Sequence, residues 1–414
     1  MNLTSVGSRQ PARVSESNTL PRLLYVGDVP VEASYHGSAL LFRLLQDYPS
    51  DRLVFFEAGT EQSAQERRLP AVDYRQVRLG GNRWRCTRIS RFAGTWLIAN
   101  RWRNAARLRK LLDGFDPQAV LTIAHGYSWL LAADLARQAS LPLHLIVHDD
   151  WPTTEDQFPW LKPWQNREFG RVYREAQSRL CVSPFMEEEY RRRYGVAGQV
   201  LYPSRAKDCP VFEGVPNTYG NRCGQLVGAY AGNIFHRSYA ELIAAVAQSL
   251  EGRGGRLLLF SPHSSDNLGA LGLNRPNIIA QGLLSSGDLI RRLSSEADFV
   301  FAPMAFQSDA IRHNMQLSFP SKLADYTATG VPLLIWGPHY CSAVRWADRY
   351  APIAEVVRSQ ESGYIDAAVH RLENAAYRER LGRAALAIGG QLFSHQSSVE
   401  ILYEALMIRG AEGP

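Results

Sequence analysis

Short apolar runs alternate with stretches of helical period along most of the chain. The runs at 22–27 (RLLYVG), 52–57 (RLVFFE), 119–123 (AVLTI), 143–148 (LHLIVH) and 179–182 (RLCV) have the length and continuity of strands buried on both faces. Between them, apolar residues recur every three to four positions over 37–48, 90–112, 127–138, 163–177 and 184–194, which predicts helices covering those strands. A second series follows, with strands at 226–231, 256–261, 277–280, 298–303 and 331–336 and helices at 238–250, 286–295, 320–329, 359–392 and 397–408. This alternation predicts an α/β chain of two doubly wound, Rossmann-like domains. The stretch YPSRAKDCPVFEGVPNTYGNRCG, rich in Pro, Gly and small polar residues, separates the two series. The predicted organisation is a polar, disordered tail at 1–20, a first domain at 21–203, a linker at 204–224, a second domain at 225–395 and a terminal segment at 396–414 whose helix can pack back on the first domain.

A length of 414 residues supports two cores better than one. The most continuous apolar stretch, 119–136, is interrupted by His125 and Asp134 and does not read as a membrane span. The first residues lack the apolar block of a secretory signal, and the cysteines (Cys86, Cys181, Cys209, Cys223, Cys341) have no CxxC spacing, so the expected setting is a reducing cytoplasm without structural zinc. Neither GxGxxG, GxxxxGK[ST] nor GxSxG occurs, which argues against nicotinamide dinucleotide enzymes, P-loop kinases and ATPases, and serine hydrolases.

The net charge of +6 is unevenly spread. Between Asn82 and Lys110 there are nine Arg or Lys residues, no Asp or Glu, and the tryptophans Trp84, Trp96 and Trp102. Such a segment suits a headgroup interface or an anionic lipid-linked acceptor, with Arg83, Trp84, Arg85, Arg101, Trp102 and Arg103 as the contacts and the inner face of a membrane as the place. Two other readings stand beside it. The same residues can track a nucleic-acid backbone, or form a solvated helix whose Trp96, Leu97 and Leu108 pack on the core. No nucleic-acid partner is expected.

Ligands of open α/β sheets bind beyond the carboxyl ends of the strands. There the first domain offers Gly27, Asp28, His36, Gly37 and His125 as acceptor-side candidates, and His148, Asp149 and Asp150 in the run HDDWP as groups able to take a proton or orient a sugar. The adjacent carboxylates Asp149 and Asp150 invite a magnesium or manganese reading, but neighbours in sequence point apart and no further carboxylates accompany them, so no metal is assigned. In the second domain, Gly232-Asn233-Ile234-Phe235-His236-Arg237 offers backbone N–H groups and a cation to a diphosphate. The segment LSFPSKLADYTATGVPLLIWGP predicts a helix from Pro320 with Ser321, Lys322 and Asp325 at one end or face, an ammonium for a diphosphate and a carboxylate for vicinal ribose hydroxyls.

The segments AYAGNIFHR, IIAQGLLSSGDLIRRL, ADFVFAPM and DYTATGVPLL resemble the donor domain of GT-B glycosyltransferases, especially family four; VSPFMEEEYRRRYG and HDDWP resemble the other half more loosely. The resemblance implies a GT-B fold, two Rossmann-like domains facing across a cleft. It implies transfer of a sugar, retention favoured, from a nucleotide-diphosphate donor to a hydroxyl of a lipid-linked or polysaccharide precursor. The nucleotide sugar is then a substrate, and neither cofactor nor metal is required. Asp325 becomes the ribose ligand where the family usually has Glu, and the first Glu of the family's pair falls at Leu317. Lys322 and Arg237 neutralise the diphosphate, Gly232 and Asn233 line its approach, and Gly282 and Leu283 meet the base through their backbone. His236-Arg237 departs from the family's usual Arg and Lys. Two other functions fit less of the sequence: a nucleotide-sugar epimerase of the same architecture, and a non-catalytic basic nucleic-acid-binding protein.

Overall fold

The computed structural model describes residues 20–34, 36–79, 84–85, 87–216, 225–234, 237–306 and 309–407. The predicted apolar runs form the centres of two sheets. The first contains β1 (Leu23–Gly27), β2 (Leu53–Glu57), β3 (Asp73–Gln76), β4 (Ala119–Ile123), β5 (Leu143–Val147), β6 (Ser178–Cys181) and β7 (Gln199–Val200), in the order β3-β2-β1-β4-β5-β6-β7. The second contains β8 (Val227–Ala231), β9 (Arg256–Phe260), β10 (Ile278–Gln281), β11 (Phe299–Pro303), β12 (Leu333–Trp336) and β13 (Ala354–Val357), in the order β10-β9-β8-β11-β12-β13. Every pairing is parallel; Leu23 lies opposite both Leu53 and Ala119, and Val300 opposite Leu333. The strand order reverses between β1 and β4 and again between β8 and β11, so each sheet opens a ligand crevice at that place.

The strands not predicted, β3, β7 and β13, are edge or near-edge strands. β3 reads DYRQ and is largely exposed, so it carries no apolar run to signal it. Two predicted helices are each broken in two. Asn100 separates Ser90–Ala99 from Arg101–Lys110, and Asn374 separates Ser362–Leu372 from Ala375–Leu392, its side chain accepting from Tyr377 N at 3.0 Å. The predicted helix from Pro320 is only Lys322–Tyr326, and Ser321 does not cap it; helix Asp309–Leu317 precedes it unpredicted.

The lobes meet through aromatic rings, Tyr202 lying 5.2 Å from Phe319 and 5.5 Å from Phe393. The terminal helix His395–Met407 buries Leu402, Ala405 and Leu406 in the core cluster that contains Leu23 and Leu41 of the first lobe. Tyr403 meets Tyr48 edge-on at 5.4 Å.

Candidate active site

In the second lobe the site is built at the end of β8. Gly232 has φ 132°, where side chains are disfavoured, and a Cβ there would lie 3.3 Å from Lys322 Nζ. Tyr326 fixes the short helix that carries Lys322: its hydroxyl accepts from Ala231 N at 2.7 Å and donates to Ala231 O at 3.2 Å. Lys322 Nζ sits 4.1 Å from the centre of the Tyr230 ring and has no carboxylate partner among the described residues. Part of the side chain reaches the surface, yet burial of the ammonium lowers its pKa to about 7. Asn233 shapes the turn, with its Oδ1 accepting from Ile234 N at 2.8 Å and its carbonyl from Tyr230 at 2.7 Å. His263, which the sequence reading passed over, accepts from Ile234 N at 3.2 Å.

Asp325 faces the other lobe. Its Oδ1 is 3.9 Å from Arg43 Nη1 and has no hydrogen bond among the described residues; nor has the buried hydroxyl of Ser286, close enough to act on the carboxyl. Burial raises the pKa of Asp325, while Arg43, Ser286 and Arg205 pull the other way. Gly282 and Leu283 stand on an exposed loop after β10, and Ser321 is exposed. Arg237 is not brought to Lys322: its side chain is 88% exposed and pairs with Glu241 one turn along its own helix, at 3.5 Å. His236 lies outside the described residues.

In the first lobe, the His125 and His148 rings meet edge-on at 6.2 Å, and His148 Nε2 is 3.9 Å from Asp149 Oδ2. The three residues bring nitrogen and oxygen atoms within 4.8 Å of one another. Burial lowers the pKa of His148; Asp149 opposes this and His125 adds to it. Gly37 is required here, because a Cβ would come within 2.9 Å of the His148 ring. Asp149 Oδ1 accepts from Ser318 Oγ of the second lobe at 2.9 Å. Helix His36–Leu45 therefore touches both halves of the site, Gly37 against His148 and Arg43 beside Asp325, about 9 Å apart along its axis.

Three first-lobe expectations need correction. Asp150 is fully buried, with its oxygens taken by Tyr190 at 2.8 Å, Thr153 at 2.6 Å, Arg193 at 3.0 Å and His313 at 3.1 Å. It ties helix Asp309–Leu317 to the first lobe and leaves no lone pair for a substrate. Asp28 caps helix Ser128–Gln138, accepting from Tyr127 N and Ser128 N at 2.7 Å each, and pairs with Arg85. Gly27 makes room for the Tyr25 hydroxyl, which a Cβ would overlap at 2.0 Å. His36 opens its helix, and its side chain lies outside the described set.

The basic segment divides. Arg85 and Arg101 turn inward, Arg101 to Asp134 at 3.3 Å and to Glu168, and so are not membrane contacts. Trp84, Trp102 and Arg103 are exposed, and Arg83 lies outside the described residues.

Paired all-parallel sheets with switch-point crevices define the GT-B architecture of sugar-transferring enzymes. Residues 67–203 match the model of Glycosyltransferase Family 4. No curated protein sequence matches the chain. Among solved structures, HepE of Anabaena with UDP and glucose superposes with a TM-score of 0.61 at 12% identity, over 93% of this chain and 98% of that one. WaaG, a glycosyltransferase of lipopolysaccharide biosynthesis, gives 0.61 at 15% over 94% and 100%, and sucrose-phosphate synthase of Thermosynechococcus elongatus gives 0.61 at 15% over 92% and 97%. The chain thus has the GT-B fold, and its residues 67–203 are similar to Glycosyltransferase Family 4. Among the described residues no helix is long and apolar enough to cross a membrane.

Proposed function

We propose that the crevice binds a nucleoside diphosphate sugar and passes its hexosyl group, with retention, to a hydroxyl of a lipid-linked or polysaccharide precursor. The observation that carries this reading is Lys322, a partly buried cation beside Gly232 with no carboxylate partner among the described residues. Burying an ammonium without a counterion is costly, and an arriving diphosphate removes that cost. Asp325 Oδ1 and Ser286 Oγ, buried beside one another, are suited to ribose hydroxyls. The backbone at Gly282 and Leu283 takes the base.

In this reading the bond between the anomeric carbon and the phosphate oxygen breaks, and its electron pair leaves with the diphosphate. Lys322 stabilises the charge that develops there. The acceptor oxygen bonds to the anomeric carbon from the same face and gives its proton to the departing phosphate oxygen. His148, whose charged form burial disfavours, donates to or accepts from a sugar hydroxyl, with His125 and Asp149 beside it. With a lysine placed to absorb leaving-group charge, neither metal nor cofactor is required, and chelators leave turnover unchanged.

The test is a thermal-shift screen against nucleoside diphosphates and their sugar conjugates, starting with UDP and UDP-glucose because HepE has been solved with both. One diphosphate should raise the Tm, and Lys322→Ala and Asp325→Ala should abolish the rise. If both variants keep the shift and the turnover, the donor site is elsewhere. Epimer formed from donor alone, with no transfer, would replace this reading with that of an epimerase.

A further inference from the structure

Helix Ser90–Ala99 is apolar on two opposite sides. Ala93, Gly94 and Leu97 are buried against the first lobe. On the outer side Ile89, Phe92 and Trp96 are 44%, 65% and 41% exposed, spaced three and four residues apart as on one helical face. The fold does not need that outer stripe. A second segment extends it: Phe92 meets Phe158 edge-on at 5.0 Å, and Phe158 stacks at 5.8 Å on Trp160, itself 69% exposed. Trp84 and Trp102 are also exposed on this segment. Arg88, Arg103, Arg107 and Lys110 are exposed and make no ion pair among the described residues.

We infer that this face seats on an anionic phospholipid surface, aromatic and aliphatic side chains entering the headgroup layer and the arginines meeting lipid phosphates. A nucleic-acid groove would use the cations and stack bases on the rings but has no place for an outward aliphatic Ile89. A protein interface is depleted of charge at its centre, whereas Arg88, Arg103, Arg107 and Lys110, not ion-paired among the described residues, flank this patch, and the acidic Asp156 beside it is neutralised by Arg91 at 2.9 Å. The patch also lies close to the site: Arg85, next to Trp84, pairs with Asp28, which caps the helix that follows His125. A membrane held there presents its headgroups to the acceptor side of the crevice. This rests on the transfer reading only in making the acceptor lipid-borne.

The experiment is co-sedimentation of the full chain with phosphatidylcholine vesicles, with and without phosphatidylglycerol, across a salt series. Binding should require the anionic lipid and weaken as salt rises. Changing Arg88, Arg103 and Arg107 together to Glu should weaken it roughly a hundredfold, and Phe92→Ser with Trp160→Ser about tenfold. All these variants should keep the diphosphate-induced Tm shift, which separates a lost surface from a lost fold. Vesicle binding unaffected by either set of changes, no vesicle binding at all, salt-sensitive binding to single-stranded DNA in its place, or dissociation of a dimer by the same substitutions would each overturn the inference. Failure of the donor reading has a different signature: vesicle binding intact and no diphosphate shift.

Discussion

On the proposed function, Lys322 concentrates the chemistry of the molecule in one side chain. In the unfolded chain it titrates near the usual lysine value, about 10.4, and in the fold burial brings it to about 7. The unfolded state therefore holds more protons between those values, so this residue makes the free protein less stable as pH falls from about 10 towards 7. Lys322→Met should accordingly raise the Tm of the free protein, by roughly 2–4 °C for each kcal/mol recovered, while removing the response to diphosphate; calorimetry with and without ligand checks both signs. Asp150 runs in the opposite sense. Burial would raise its pKa, but hydrogen bonding from His313, the charge of Arg193 and the hydroxyls of Thr153 and Tyr190 outweigh it and lower the value to about 2. Its contribution to stability is present above the ordinary carboxylate range and is lost as pH falls through about 2. Asp150→Asn leaves Arg193 buried with half its partners, and urea denaturation should find a loss of about 3–5 kcal/mol. At this scale the sequence located side chains rather than roles: Lys322 lies beside Gly232, and His148 beside Asp149 and His125, while their tasks, like that of Asp325, belong to the proposed function. It misled where a residue type suited two tasks. Asp28 and Asp150 stand at strand ends as a catalytic carboxylate would, and only coordinates reveal that a helix cap and an ion network consume them.

Among the elements, helix His36–Leu45 links the two parts of the site, because Gly37 and Arg43 meet His148 and Asp325 respectively. Gly37→Ala forces the His148 ring, 2.9 Å from the added carbon, to move by a few tenths of an ångström. We expect kcat to fall about tenfold to a hundredfold with donor affinity retained; unchanged kcat in steady-state kinetics would remove His148 from the sugar site. The central strands were legible because strands buried on both faces leave continuous apolar runs, as in AVLTI and RLLLF. Edge strands leave none, and DYRQ could not have been found that way. Helix breaks at Asn100 and Asn374 escaped because the apolar period resumes in register after one or two residues. Arg43 and Ser286 were also missed. Each does carry a signal, a lone cation in HGSALLFRLL and a hydroxyl at the mouth of a strand-to-helix loop, but neither says what it will face.

For the whole molecule, the β/α alternation was enough to predict two doubly wound sheets, since parallel strands demand crossovers and crossovers demand covering helices. Contacts between lobes leave no trace in local pattern. Ser318 to Asp149, His313 to Asp150 and Arg43 to Asp325 each join residues far apart in the chain. They join the two lobes beside the crevice, so on the proposed function Ser318→Ala should raise KM for the donor and lower kcat together, which initial-rate kinetics can separate from loss of either alone. The central claim is that Lys322 is the cation that receives the diphosphate. Its most direct test is calorimetric titration of the nucleoside diphosphate selected by the thermal screen, in buffers of different ionisation enthalpy. With a free pKa of about 7 that the bound anion raises, binding should take up close to one proton at pH 8 and almost none at pH 6, and should weaken by up to about tenfold per pH unit above 7. Lys322→Met should abolish the uptake. Equal affinity at both values with no proton taken up by the unaltered protein would contradict the account.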